Sequence, residues 1–263
     1  MHQIESESIT QPTLSESDII YSIVIPLYNE AENVLPLVEE LGWVMSTYKN
    51  KWELIFVDDG STDSTFPIIT SLIETKDALA ARQIRALRLC KNYGQTTAFA
   101  AGVRAARGAW IISLDGDGQN DPRDIPLLIE TASSIPQGYD LVTGRRKSRQ
   151  DVWYKRILSK TANAIRKKIL ADNSQDTGCS LKLYKKSALE KITLFHGMHR
   201  FLPALFTMEG FAIKEVAVHH RERLRGKSKY HLFNRGISLF FDMLAVAWMK
   251  KRRLSYKIDK ELP

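Results

Sequence analysis

The sequence predicts an α/β protein with a mainly parallel sheet flanked by helices, on three observations. Short apolar runs rich in Val, Ile and Leu recur with amphipathic helical stretches between them. The 263 residues are enough for one sizeable core, and 44% hydrophobic with 26% charged residues is ordinary for a folded chain. The informative acids fall where apolar runs end, which is where open α/β sheets bind ligands.

The elements follow in order. Residues 1–19, rich in Ser, Glu and Gln, read as a flexible leader. Glu5, Glu7, Glu16 and Asp18 occupy the place where a signal peptide would carry a basic and then an apolar region. Residues 21–27 form a β-rich apolar run. Residues 30–48 set Val34, Leu35, Val38, Leu41, Val44, Met45 and Tyr48 at helical spacing. A second strand at 53–57 and helix at 61–74 follow, then a strand at 84–89. Next come an Ala-rich helix at 95–106 closed by Gly108, a strand at 109–114, a helix at 126–134 and a strand at 140–143. Strands alternating with helices imply βαβ units with right-handed crossovers. After Gly144 the period loosens. Residues 152–170 read as a basic amphipathic helix, 180–184 and 212–219 as strands, 198–208 as a short helix, and 236–251 as one or two apolar helices. The division expected is a leader at 1–19, a main domain at 20–232, and a basic amphipathic tail at 233–263.

Charge is unevenly placed. Of the net +8, all falls after Val218: residues 219–263 hold twelve Lys or Arg against four Asp or Glu. Such a tail suits a polyanionic partner, whether nucleic acid, anionic lipid or a phosphorylated substrate. No basic platform interleaved with aromatics and no recognition-helix pattern supports nucleic acid. The apolar run 236–249 reaches about 21 Å as a helix, short of a hydrocarbon core of about 30 Å. We therefore expect it, with residues 152–170, to lie in a membrane interface, Lys250 to Arg253 meeting anionic head groups. Packing of 236–249 on the domain is the alternative. Cys90 and Cys179 form no disulfide framework and fit a reducing compartment.

Three strand ends carry acids: Pro26-Leu27-Tyr28-Asn29-Glu30, Val57-Asp58-Asp59-Gly60-Ser61, and Leu114-Asp115-Gly116-Asp117-Gly118-Gln119. Gathered in one crevice they repel unless cations or hydrogen-bond donors sit among them. In an extended segment Asp115, Asp117 and Gln119 face one way and present three hard oxygens to Mg²⁺ or Mn²⁺. The competing reading is an Asp-Gly turn. Either Asp58 or Asp59 suffices to cap the next helix, leaving the other for a base or ribose. The Pro-x-Tyr-Asn-Glu segment is either a helix start or a base and ribose contact. Arg221, Arg223, Arg225, Lys227 and Lys229 alternate around Gly226, which suits a strap closing over phosphate as well as a solvated loop. Asp176 is placed to orient or assist, or to cap a turn; Cys179 reads as a packing residue. His196, His199, His219 and His220 have no zinc spacing and read as structural or surface residues.

Taken together, P-L-Y-N-E, V-D-D-G-S-T-D, N-Y-G-Q, A-G-V-R-A-A-R-G, L-D-G-D-G-Q and G-R-R resemble the inverting family 2 glycosyltransferases of GT-A (Rossmann-like) fold. The later D-T-G-C-S-L-K and R-x-x-G-x-S-K motifs are similar to the polyprenyl-phosphate sugar transferases, the branch typified by dolichol-phosphate mannose synthase. The resemblance runs from about residue 21 to 248. It implies transfer of a sugar from a nucleotide-sugar donor to polyprenyl (undecaprenyl or dolichyl) phosphate, peripherally at the cytoplasmic face of a membrane. It implies nucleotide contacts at Pro26, Tyr28, Glu30, Val57, Asp58, Asp59, Leu114 and Asp115, and donor phosphate at Arg146. Metal ligation falls to Asp115, Asp117 and Gln119. Arg223 and Lys229 close over the diphosphate and acceptor phosphate, with Lys155, Arg156 and Ser159 on the acceptor helix. The family commonly has Arg where Lys155 stands, and Lys lacks the bidentate fork. A phosphate acceptor is already ionised near neutral pH, with a second pKa of about 6, and needs no general base. A saccharide or other hydroxyl acceptor is the alternative, with Asp176 as its base.

Overall fold

A computed structural model describes residues 19–48, 51–75, 83–147, 166, 169–170, 174–223, 233–253 and 259–260, with only the backbone for 233–239. The leader, most of the helix expected at 152–170, and Lys155, Arg156, Ser159, Arg225, Lys227 and Lys229 lie outside the described residues.

Four parallel strands open the chain: β1 (Tyr21–Leu27), β2 (Trp52–Asp58), β3 (Ile84–Arg88) and β4 (Trp110–Ser113). Helices α1 (Ala31–Met45), α2 (Thr65–Thr75) and α3 (Gln95–Ala105) connect them, and α4 (Ile125–Ala132) leads to β5 (Leu141–Arg146). Then follow β6 (Lys182–Lys185), α5 (Lys186–Leu189), α6 (Leu202–Met208), β7 (Ile213–Val218) and α7 (Phe233–Arg252). The sheet order is β3-β2-β1-β4-β6-β5-β7. Only β6 runs antiparallel, inserted between β4 and β5. The alternation of apolar runs gives no hint of that reversal.

Both faces of the sheet are covered, which is why β2 is buried at all seven positions. Ile23, Ile25 and Leu27 of β1 and Leu54 and Phe56 of β2 meet Val34, Val38 and Leu41 of α1. The alternate residues Val24, Ile55 and Val57 join the opposite layer with Phe99 and Val103 of α3, Phe206 of α6, and Met243 and Val246 of α7. The C-terminal apolar stretch is thus one helix with a face built into the second core layer. The expected start of the second helix at Ser61 moves to Thr65, because Asp63 turns the chain: its Oδ1 accepts from Thr65 N (2.9 Å) and from Thr65 Oγ1 (2.6 Å).

Helix α3 lies close on the sheet at Gly102. A β-carbon there would sit 2.3 Å from Val24 Cγ1 and 3.0 Å from Val57 Cγ2. Elsewhere in a helix Gly→Ala gains up to about 1 kcal/mol; here overpacking reverses the sign. Gly102→Ala should lower unfolding free energy by about 1–3 kcal/mol in urea denaturation. A stabilised variant would show that the α3–sheet contact is looser than this.

Candidate active site

The β1–α1 and β2–α2 turns are one unit. Asp59 N donates to Leu27 O (2.8 Å), Asn29 N to Ser61 Oγ (2.9 Å), Thr62 N to Asn29 Oδ1 (2.8 Å) and Glu30 N to Thr65 Oγ1 (2.8 Å). Asn29 adopts φ 52°, a conformation Asn tolerates better than most residues. The two adjacent acids divide their tasks. Asp58 is inaccessible; its Oδ1 accepts from Ser61 N (3.2 Å) and its Oδ2 lies 3.3 Å from Arg88 Nε. Asp59 lines the crevice beyond the strand ends, its carboxylate accepting from Tyr93 N (2.7 Å) and Gly94 N (2.8 Å).

At the end of β4 the chain turns instead of running extended. Residues 116 and 117 form the turn, and Gly118 follows at φ +73°. The alternation expected of Asp115, Asp117 and Gln119 is therefore not the reason they converge, yet all three line one lobe of the crevice. Asp115 Oδ1 accepts from Gln95 Nε2 (2.6 Å). Asp117 Oδ1 accepts from Gln119 N (3.1 Å) and Oδ2 from an Arg223 guanidinium nitrogen (2.6 Å). That same nitrogen lies 3.9 Å from Glu30 Oε1. Burial first, then the neighbouring Asp117 charge, pushes the Asp115 carboxyl above its ordinary value, opposed by Ser180, Lys182 and Arg146. Lys182, buried below the same lobe, donates to Cys179 O, and desolvation pushes its ammonium down. Cys179 is buried as expected, its thiol pushed up chiefly by burial.

A second run of contacts fixes the β4 loop. Asn120 bridges His220, Arg221 N donates to Gln119 O (2.8 Å), and the Arg221 side chain reaches Glu40 (2.8 Å) and Asp121 (2.8 Å). His219 N donates to Asp124 Oδ2 (2.6 Å). This zip delivers Arg223 to Asp117. Of the five alternating basic residues, the two described ones both point into acids.

Of the other expected contacts, Pro26, Tyr28 and Glu30 line the crevice and Leu114 its second lobe. Val57 does not: it is wholly buried against α3. Asp58 does not either, for the reason given. Arg146 forms a bidentate pair with Asp176 (2.7 and 2.8 Å), and neither residue is among those lining the crevice. Gln95, His196, His199, Arg200 and Asp242 line it without having been singled out for that role. His196 and His199 were expected to be structural or surface residues; the chain after β6 folds them onto the crevice, where His199 Nδ1 lies 3.0 Å from Thr96 Oγ1. His219 is structural as expected, paired with Asp124 (2.9 Å). The only local signals were the N-Y-G-Q string for Gln95 and the clustering of H-G-M-H-R.

Residues 22–193 match the family model described as Glycosyl transferase family 2. The chain belongs to glycosyltransferase family 2. Among curated relatives, the dodecaprenyl-phosphate galacturonate synthase of Rhizobium johnstonii is 39% identical over 233 residues, 88% of this chain and 67% of that one. The undecaprenyl-phosphate 4-deoxy-4-formamido-L-arabinose transferase of Proteus mirabilis is 36% identical over 223 residues, 85% of this chain and 66% of that one. The chain thus spans about two thirds of the length of these family 2 relatives. The fold is shared with a mannosyltransferase from Pyrobaculum calidifontis solved with GDP-Man and Mn²⁺: TM-score 0.62 at 18% identity, covering 90% of this chain and 65% of that one. It is shared too with glucosyl-3-phosphoglycerate synthase from Mycobacterium tuberculosis solved with Mn²⁺ and UDP-Glc: TM-score 0.59, 16% identity, covering 91% and 84%. The architecture is accordingly the GT-A fold of family 2.

The zip has a pH signature. Burial raises the Asp121 carboxyl, but Arg123 and Arg221 outweigh it and hold it at about 2. An acid depressed in the folded state stabilises fully above its unfolded value of about 4, and that contribution disappears as pH falls from there to about 2. Asp121→Asn should flatten the loss of stability between those pH values in urea titrations. An unchanged acid limb would show that the contacts of Arg123 and Arg221 with Asp121 carry no stability.

Proposed function

We propose that this glycosyltransferase transfers a sugar, with inversion, from a nucleotide-sugar donor to a polyprenyl phosphate held at a membrane surface. The observation that carries the reading is the crevice itself: acids from three strand ends, with Arg223, Arg200 and Lys182 beside them, adjoin a helix with an outward aromatic face. The names of the similar proteins, a dodecaprenyl-phosphate and an undecaprenyl-phosphate enzyme, support the acceptor.

In this reading Asp59, Tyr28 and Glu30 hold the nucleoside, with backbone help from Pro26 and Leu114. Asp115, Asp117 and Gln119 hold Mg²⁺ or Mn²⁺. Their chemistry fits: all are hard oxygen donors, and two carboxylates with one amide leave positions for phosphate and water. Asp117 is already neutralised by a cation, Arg223, so positive charge belongs at that spot. A bound divalent ion would offset charge on the departing nucleoside diphosphate. Arg223, released from Asp117, is then positioned for the diphosphate, and Lys229 for the acceptor phosphate with Lys155, Arg156 and Ser159. The phosphomonoester attacks the anomeric carbon directly while the sugar–phosphate bond breaks; no base is required. Asp176 fits this better than the hydroxyl-acceptor reading, because both its oxygens are engaged by Arg146. Arg146 in turn acts through Asp176 and the field at Asp115, not by direct phosphate contact.

The membrane surface is assigned to α7. Phe240, Phe241, Leu244 and Trp248 are 51%, 63%, 41% and 63% exposed, and 241, 244 and 248 share one face. No described helix is long and apolar enough to cross a membrane. Lys250 donates to Leu170 O and Arg253 pairs with Glu209, so Lys251 and Arg252 are the residues most available to anionic head groups. Peripheral attachment at the cytoplasmic face is consistent with free Cys90 and Cys179.

Incubation with labelled nucleotide sugars, Mn²⁺ and undecaprenyl phosphate, followed by organic extraction, should yield a labelled lipid. Asp117→Ala should lower the yield by on the order of a hundredfold without loss of folding; full activity in that variant would reject the metal assignment, and no labelled lipid from any donor would reject the function. Flotation supplies a separate check. The protein should rise with anionic vesicles, less so at high salt, and Phe241→Ser with Trp248→Ser should reduce the bound fraction. Indifference to both changes would remove α7 as the docking face.

A further inference from the structure

Lys182 lines the second lobe of the crevice without a task in the proposed reaction. That lobe has a volume of about 690 Å³, within the range of small-molecule sites. Strand β6 enters antiparallel beside β4 and pairs Lys182 with Ser113, two residues before Asp115. Paired residues share a face of the sheet, as does Tyr184 two residues further on. Ser113, Lys182 and Tyr184 all line this lobe, and none of them lines the other. Lys182 is 3% exposed. Among the described residues its one hydrogen bond goes to Cys179 O, and no carboxylate lies within ion-pairing distance. Asp115 and Asp176 act on it through space, and Arg146 already engages both oxygens of Asp176. An ammonium has three donors, and a buried charge without a paired counter-ion is costly. Two donors and a charge are left for what enters the lobe.

The connectivity of a nucleotide sugar says which part that is. Tyr28, Glu30 and Asp59, assigned above to the nucleoside, line the first lobe and not the second. Asp115 and Asp117, assigned to the metal and through it to the diphosphate, line both. The diphosphate joins nucleoside to sugar, so a donor that starts in the first lobe and crosses at the two aspartates puts its sugar in the second. No described residue of α7, the helix assigned to the membrane, lines that lobe, which favours the sugar over the lipid phosphate as its occupant. We infer that Lys182 reads the transferred sugar and selects one that carries a carboxylate, whose oxygens take the remaining hydrogens of the ammonium. The inference rests on the transferase reading and adds to it the class of sugar and the residue that selects it. Opposite charges attract more strongly where water is excluded, so a uronate gains at Lys182 what the hydroxymethyl group of its neutral counterpart cannot supply.

Titration calorimetry of the full chain with Mn²⁺ tests this. UDP and GDP establish which nucleotide is bound. Matched pairs follow: UDP-glucose with UDP-glucuronate and UDP-galactose with UDP-galacturonate, or GDP-mannose with GDP-mannuronate. The wild type should bind the uronate of at least one pair more tightly than its neutral partner. Lys182→Met, which keeps an unbranched side chain and removes the charge, should weaken that uronate about ten- to a hundredfold, the loss expected for a hydrogen bond to a charged group, and bring it down to the neutral partner. Binding of the bare nucleoside diphosphate should stay unchanged, which also shows that the crevice of the variant is folded. No wild-type preference for the uronate in any pair, or a preference that survives Lys182→Met, would overturn the inference. So would equal weakening of nucleotide and nucleotide sugar, which would put Lys182 on the diphosphate or in the support of the fold. Each of these outcomes leaves the transferase reading intact; absence of any nucleotide binding by the wild type would overturn both.

Discussion

Carboxylates gathered at the ends of adjacent parallel strands repel one another, and the site depends on how that repulsion is met. Each acid has its own answer. Asp58 turns down toward Arg88 and Ser61 N, Asp59 takes two backbone N–H groups from residues 93 and 94, Asp115 takes the Gln95 amide, and Asp117 takes Arg223. Apart from Ser61 N, these answers come from residues 88, 93–95 and 223, far along the chain from the acids they meet. The loop before α3 is drawn to the β2 end by Asp59, and residues 219–223 are drawn to the β4 end by Asp117 and Asp121. The crevice is shaped by the neutralisation of its acids as much as by the strands that present them.

The same contacts bear on the cation proposed for the site. Asp115 is held above its ordinary value by burial and by Asp117, so a second positive centre near the pair relieves two unfavourable effects at once. Arg223 already neutralises one of the two acids, and its neighbour Arg221 is anchored to Glu40 and Asp121. A side chain anchored one step away can exchange partners without the backbone moving far. Donor diphosphate and Asp117 would then compete for one guanidinium, with the metal tipping the balance.

Strands β1 to β4 and the helices between them were legible because each is a local pattern: a short continuous apolar run, then apolar residues at period 3.6, then a turn. The acids at three strand ends were legible for the same reason. The rest required closure of the chain in space. Nothing local in Lys182–Lys185 says that this strand enters antiparallel between β4 and β5. Nothing in Asp58-Asp59 says which acid faces in; that follows from Asp59 meeting residues 93 and 94. The extended reading of residues 115–119 failed because Gly116 to Gly118 turn, although the side chains still share a lobe. His196, His199, Arg200 and Asp242 were missed because they reach the crevice only after α6 and α7 fold back over it.

The basic excess after Val218 also takes a different meaning in three dimensions. Read as a run, it suggests a single cationic surface. In the fold its described members separate by function: Arg221 ties the β4 loop, Arg223 enters the acidic crevice, Lys250 caps the carbonyl of Leu170, and Arg253 pairs with Glu209. Of this group, Lys251 and Arg252 end the aromatic helix with neither a side-chain hydrogen bond nor an ion pair among the described residues. In the proposed attachment, α7 would draw its affinity for a lipid surface mainly from Phe240, Phe241, Leu244 and Trp248, with charge as a lesser contribution. Because Met243 and Val246 fix the same helix in the core while Asp242 on it lines the crevice, seating those aromatics in a bilayer would orient the crevice mouth relative to the lipid head groups. A phosphorylated lipid, in the proposed reaction, would then meet the donor in a geometry set by that one helix.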